Sequence, residues 1–378
     1  MRLCYIAPPA IHTNRIVRYF SNNGHEVHLI TSAQFHEGNI GNSKLHFLKR
    51  VGPRTRVVNY MINSLPLLLQ FEKLIEEIKP DIIHAQMITD TALLPAIIGF
   101  HPFVVTPWGS DVLTAPRESI IAEKIARYIL KKADMITCDA KHIVEPMKQL
   151  GADPNKIRFN YFGVDVEEFH PRQRDNKLKE ELGVGDSPLI ISMRNLLPMY
   201  DVESLIKAMP AVLASEPEAK LLVISVGSQY TMLSELTKSL NISDSIKFVG
   251  RIKESELPRY IASSDIYVST SLSDAGLSAS TAEAMACELP VIITDFGDNR
   301  EWVEDGKNGF VIPLKSPEIL ASRIIYLLQN KEMSKRFGKA NRQVIEEENN
   351  REKEMESMLH LYEELISNED NKLCTKTV

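Results

Sequence analysis

The chain has 378 residues, 44% of them apolar and 25% charged, with a formal net charge of −6. A single core does not ordinarily grow to that length, so two domains of similar size are expected, and the composition excludes a disordered or coiled-coil protein. The acidic balance offers no general field for nucleic acid, whose binding rests on neutralised phosphates, and no nucleic-acid partner is expected.

Taken in chain order, the apolar run Leu3–Ala7 is closed by Pro8 and Pro9, too early for a signal peptide, and reads as a first strand. A helix over 12–23 puts Ile16, Val17, Tyr19 and Phe20 on one side and stops at Gly24. Val27–Thr31 is the next strand. No acid occurs between Gly38 and Phe71, where Lys44, Lys49, Arg50, Arg54 and Arg56 precede an apolar run from Val57. Strands follow at Ile82–His84, Phe103–Thr106 and Met135–Thr137. The stretch 88–105 is broken by Asp90, Pro95, Gly99, His101 and Pro102, short of the ~20 clean residues a membrane span needs. Residues 169–187 are polar and punctuated by Pro171, Gly183 and Gly185, which places the interdomain connection there. Strands resume at Leu189–Met193, Leu221–Ser225, Ile246–Val249, Ile266–Ser269 and Val291–Thr294. From Asn349 onward, Met355, Met358, Leu359, Tyr362 and Leu365 recur at helical spacing, predicting a helix over 352–366 that packs on the body.

This alternation of short β-branched runs and helices is the pattern of α/β proteins with parallel, doubly wound sheets, and ligands are expected outside the carboxyl ends of the strands. The expected division is a first Rossmann-like domain over 1–168, a linker over 169–187, a second Rossmann-like domain over 188–348, and a C-terminal helix and tail over 349–378. The cysteines Cys4, Cys138, Cys287 and Cys374 form no C-x-x-C pair, so neither a zinc site nor a disulfide framework is signalled and a reducing cytoplasm fits.

The chemistry concentrates between 269 and 313, in S-L-S-D-A-G-L-S at 271–278, A-E-A-M-A-C-E-L-P at 282–290 and V-I-I-T-D at 291–295. A strand feeds a small-residue loop, then a helix, then another strand. Residues 278–281 would offer backbone N–H groups to an anion such as phosphate. Glu283, in the first turn, could accept hydrogen bonds from two vicinal hydroxyls, as on a ribose. On these residues alone a plainer reading stands beside it: Gly276 makes the turn and Glu283 is a solvated acid favoured by the helix dipole.

The whole stretch resembles the signature of family 4 retaining glycosyltransferases, in which an acidic residue, a G-F-G-like loop and a second glutamate precede A-M-A-C-G-x-P-V-I. Similar segments occur in order at 24–27 (G-H-E-V), 80–85 (P-D-I-I-H-A), 156–157 (K-I), 162–165 (F-G-V-D), 169–171 (F-H-P) and 305–310 (D-G-K-N-G-F). The resemblance implies a GT-B fold, two Rossmann-like domains facing each other across a cleft. It also implies transfer of a sugar from a nucleotide-diphosphate donor to an acceptor hydroxyl in polysaccharide, glycolipid or related glycoconjugate synthesis. Carried over by position, Glu283 would bind the donor ribose, Gly276, Leu277 and Ser278 would present amides to the sugar and diphosphate, and Gly250 and Arg251 would lie beside the nucleobase. Arg194 matches the phosphate-binding arginine, whose planar fork suits phosphate oxygens and offsets charge on the leaving group.

The sequence also departs from that family. Tyr200 stands near the place of a lysine, and the first glutamate of E-x7-E falls at Ala275, with Asp274 beside it. Ala7–His12 replaces a glycine-rich loop, and T-P-W-G-S-D at 106–111 puts Trp108 where a histidine is usual. The acceptor-side set is therefore His12, Trp108, Gly109, Ser110 and Asp111. His12 and Asp111 are expected to give polar contacts at the reaction centre, and Trp108 either to stack on an acceptor sugar or to pack inside.

The resemblance implies front-face displacement with retention, in which the departing phosphate oxygen helps deprotonate the acceptor. No dedicated protein base is then required, in keeping with the lack of a convincing carboxylate pair or Ser/Cys–His arrangement. No metal and no cofactor beyond the donor sugar nucleotide are expected, because no Asp/His cluster is evident and the arginine is cationic. A saccharide or lipid-linked acceptor is implied, with the basic, apolar segment 44–71 resting on the inner face of an anionic membrane, or else forming a solvated loop and a core helix. A catalytically weak nucleotide-sugar-binding relative and a sugar-nucleotide epimerase or hydrolase on the same fold remain open alternatives. A dinucleotide oxidoreductase is disfavoured because no strand is followed by G-x-G-x-x-G.

Overall fold

The computed structural model describes residues 1–32, 40–49, 58–274 and 276–376. The chain forms two compact units, Met1–Phe162 with Lys353–Val378, and Gly163–Glu352.

The first unit holds seven parallel strands: β1 (Arg2–Ile6), β2 (Glu26–Thr31), β3 (Lys44–Phe47), β4 (Ile82–Gln86), β5 (Phe103–Thr106), β6 (Met135–Cys138) and β7 (Ile157–Phe159). Their order is β3-β2-β1-β4-β5-β6-β7. Tyr5 in β1 pairs with Leu29 of β2 and His84 of β4. The central strands are buried along almost their whole length, so β5 reads as a mainly apolar run, while β4 also buries His84 and Gln86. The helix Ile11–Asn22 lays Ile16, Val17 and Phe20 on Leu3, Tyr5 and Leu29. The helix Arg351–Lys376 contributes Met355, Met358 and Tyr362 to the same core, so the apolar stripe of the tail covers the first unit.

The second unit holds β8 (Leu189–Ser192), β9 (Lys220–Val223), β10 (Ile246–Phe248), β11 (Ile266–Ser269), β12 (Val291–Thr294) and β13 (Gly309–Ile312). All are parallel, in the order β10-β9-β8-β11-β12-β13. Its core joins Ile190, Leu221, Val268 and Ile292 from the sheet to Leu205, Met209, Ile324 and Phe337 from the helices.

The ten expected strands are present to within two residues at each end. β3, β7 and β13 were not foreseen, and β13 opens on Gly309, where a Cβ would stand 2.6 Å from the Val291 carbonyl oxygen. The connection differs more. The chain leaves the first unit at Phe162–Gly163 rather than across 169–187. That polar segment folds into the second unit because Asp175 caps the helix Asn176–Glu181 and Arg259 binds both Asp175 and Glu181. Gly163 adopts φ +72°, and a Cβ there would lie 2.4 Å from the Arg351 Cα. The outgoing and returning segments pair at this point, Val164 N–H donating to Asn349 and Arg351 N–H to Val164.

Candidate active site

In the second sheet the chain runs outward from β8 through β9 to β10, then returns to the other side of β8 with β11. The carboxyl ends of β8 and β11 therefore flank a topological switch point, where open α/β sheets bind ligands. Arg194 follows β8, and the loop carrying Asp274 follows β11.

Arg194 is only 8% exposed. One arm of its guanidinium, Nη2, donates to Asp274, and the other, Nη1, lies 3.5 Å from the Ser280 hydroxyl. Its third donor group, Nε–H, is buried without a partner. Tyr200 lies against the guanidinium face, 4.4 Å from ring centroid to Cζ. The Tyr200 loop is pinned to the β11 loop, since Thr270 donates to the Tyr200 carbonyl (3.0 Å) and Leu272 N–H to that of Met199 (2.8 Å). Burial works against the charge of Arg194, but Asp274, Tyr267 and Tyr200 together more than offset this and the pKa lies above its ordinary value.

The helix Ala279–Ala286 begins beside this pair. Ser278 caps it by accepting from Thr281 N–H (3.3 Å). The Thr281 amide is thereby taken, which narrows the expected 278–281 set to those of Ser278, Ala279 and Ser280 for an anion. Ser280 is held by the Tyr267 hydroxyl at 2.7 Å. Glu283 is 3% exposed, one turn beyond Ser280 on the same helix. Its burial excludes the solvated-acid reading. Gly276 is buried and Leu277 half-buried, while Ala275 lies outside the described residues. Gly250 (φ +80°) and the exposed Arg251 follow β10, two strands from β8. Arg194, Tyr200, Asp274 and Ser278 thus gather at the head of the helix that carries Glu283. Ser280 and Tyr267 were missed, although three hydroxyls in S-A-S-T at a helix start were a capping signal.

In the first unit, His12 stacks on Phe162 (4.2 Å between centroids) and meets Trp108 edge-on (6.1 Å). It does not cap its helix, whose N-cap is Ala10. Gly109 takes φ +101° ahead of the short helix Ser110–Leu113, and Ser110 is exposed. Asp111 is buried, and its two oxygens accept from the backbone N–H of Ile88 (2.7 Å) and Trp108 (2.9 Å), so it ties two loops together. Burial pushes its carboxyl up to about 6 against the pull of those amides.

Trp108 Nε1 donates to Gln86 (3.2 Å), and Gln86 reaches His84 (3.1 Å). His84 is buried against Thr106 and Tyr362, and burial lowers its pKa to about 3. This polar chain was not anticipated, because Tyr362 arrives from 278 residues away. No helix among the described residues is long and apolar enough to cross a membrane, and no group of three or more His, Cys, Asp or Glu among them could hold a metal ion.

Comparison with known proteins agrees with the geometry. The model of glycosyl transferases group 1 matches residues 173–344, and that of glycosyl transferase 4-like proteins matches residues 2–140. The N-acetyl-alpha-D-glucosaminyl L-malate synthase of Bacillus anthracis is 24% identical over 94% of this chain and 93% of its own. A GDP-mannose-dependent monoacylated alpha-(1-6)-phosphatidylinositol monomannoside mannosyltransferase of Corynebacterium glutamicum is 29% identical over 64% of this chain and 63% of its own. The crystal structure of HepE from Anabaena in complex with UDP superposes with a TM-score of 0.80 at 17% identity, covering 97% of this chain and all of that one. The two family models together span most of the sequence, the sheet orders are those of two Rossmann-like domains, and the chain belongs to the group 1, family 4 glycosyltransferases of the GT-B fold.

Proposed function

We propose that this glycosyltransferase takes a sugar from a nucleotide-diphosphate donor and passes it to an acceptor hydroxyl with retention of anomeric configuration. The observation that carries the reading is Arg194, a buried guanidinium with an unused Nε–H, at the head of the helix whose first turns hold Glu283. A guanidinium and helix-start amides suit a diphosphate, and Glu283 suits the two hydroxyls of the nucleoside ribose. Arg194 then offsets the charge that grows on the leaving phosphate as the sugar bond breaks. A leaving-phosphate oxygen takes the acceptor proton on the same face of the sugar, so no protein base acts. In this reading the guanidinium serves where other transferases use a metal ion.

Incubation with UDP-, GDP- and ADP-sugars, with NMR of the product anomer, tests this. Donor consumption with retained configuration is expected, unaffected by a chelator, and an inverted product would contradict it. A weak relative that binds donors without turnover is the second reading, favoured by Asp274 on Arg194 and by Trp108 in the usual histidine position. Binding without turnover across the panel and plausible acceptors would support it.

The relatives named for phosphatidylinositol acceptors and the surface of the first unit favour a lipid-linked acceptor at the cytoplasmic face of a membrane. Leu65 and Leu69, 63% and 58% exposed, share one face of the helix Val58–Ile78. Gln70 of that helix bonds both backbone groups of Lys49, beyond β3 with its exposed Phe47 and Lys44. Arg50, Arg54 and Arg56 lie outside the described residues. Co-sedimentation with anionic liposomes should fall for Lys44→Gln with Lys49→Gln, and unchanged binding removes the idea.

A further inference from the structure

We propose that Asp274 is a specificity-determining residue: it occupies the anion seat on Arg194 and yields it to a diphosphate but poorly to a monophosphate. The inference rests on the reading of Arg194 as the diphosphate-binding group and gives Asp274 a role that reading does not contain.

Arg194 has five N–H donors in a fixed fork. Asp274 takes one arm through a single oxygen, Ser280 stands at the other arm, and Nε–H is left buried and unpaired. The carboxylate therefore holds the guanidinium without saturating it. Tyr200 covers one face of the fork, and the N–H groups point outward in its plane, so an incoming anion bonds along the edge that Asp274 partly fills. Charge completes the case. Tyr200, rather than a second cation, lies against the guanidinium, and Asp274 is the acid bonded to it.

An anion gains the seat only by offering more than Asp274 does. A diphosphate brings two to three negative charges and enough oxygens to reach Nε–H, Nη–H and the amides of Ala279 and Ser280 together. Orthophosphate has fewer charges and shorter reach, and competes less well with the resident carboxylate. The displaced carboxylate is then free to accept a hydrogen bond from a donor sugar hydroxyl.

Calorimetric titration of wild type and Asp274→Asn with pyrophosphate, orthophosphate, UDP and UMP tests the proposal. The variant is expected to bind pyrophosphate about tenfold tighter. The gain for orthophosphate should be larger, so that the preference for diphosphates shrinks; the same trend is expected of UDP against UMP. Unchanged or weaker affinity for all four anions, in a variant with wild-type circular dichroism, overturns it. If wild type binds diphosphates and the variant binds them no better, only the role of Asp274 falls. If neither protein binds any diphosphate, the reading of Arg194 falls with it. Should the variant fail to fold, a crystal structure of wild type with pyrophosphate decides. Asp274 swung off Arg194 is the expected result, and Asp274 still bonded to Arg194 overturns the proposal.

Discussion

Removing the hydroxyl of Tyr362 should destabilise the first unit more than removing that of its neighbour Tyr5, because the two occupy different positions in one directed chain. Trp108 Nε1–H can only donate, so Gln86 Oε1 accepts it, and the Gln86 amide nitrogen then donates to His84 Nε2. His84 must carry its proton on Nδ1, where it donates to the Tyr362 oxygen, and Tyr362 donates onward to Tyr5 at 2.9 Å. Tyr362→Phe deprives both the His84 Nδ1–H and the Tyr5 hydroxyl of partners in a fully buried place. Each buried unsatisfied group costs about 1–3 kcal/mol, so a loss of about 2–4 kcal/mol is expected. Tyr5→Phe leaves the oxygen that His84 needs and should cost about 1 kcal/mol. Urea unfolding followed by Trp108 fluorescence in a Trp302→Phe background reads this unit alone. A Tyr362→Phe midpoint equal to or above that of Tyr5→Phe would refute both the bond directions and the Nδ1–H tautomer.

His84 also sets a pH dependence. Its folded pKa of about 3 lies below the unfolded value of 6.5, so its share of stability is full above pH 6.5 and lost as pH falls towards 3. Between pH 6.5 and 5 that share drops by about 2 kcal/mol, and urea midpoints should fall more for wild type than for His84→Gln. Asp111 acts with the opposite sign: its folded pKa of about 6 exceeds 3.8, so its stabilising share is full below pH 3.8 and lost as pH rises through 6, and Asp111→Asn should remove that slope. Gly163→Ala forces a Cβ against the Arg351 backbone at φ +72° and should cost the second unit more than about 2 kcal/mol by thermal unfolding. Glu283→Gln should weaken binding of nucleoside diphosphates about tenfold while leaving inorganic pyrophosphate unaffected, by calorimetry.

What the sequence disclosed and what it withheld divide by the range of the interactions. Strands such as Ile266–Ser269 and Val291–Thr294 were legible because burial on both faces leaves a local run rich in β-branched and aromatic residues. The stripe Met355, Met358, Tyr362 announced a helix, but not which unit it covers, since the partner of an apolar face is not written beside it. The boundary was misplaced because Pro171 and Gly183 are strong punctuation, whereas the true crossing carries one glycine, Gly163. At the site, the family pattern picked out Arg194, Asp274 and Glu283 singly. That Asp274 binds Arg194 across 80 positions, and that Asp111 accepts from the amides of Ile88 and Trp108, depends on tertiary packing.

Calorimetric binding of UDP, GDP and ADP to wild type and to Arg194→Ala probes the claim on which the functional account stands. Loss of a charge-assisted, bidentate partner for the diphosphate predicts at least about a hundredfold weaker binding of whichever nucleotide wild type prefers, in a variant that still folds. Equal affinity in the two proteins would contradict the account.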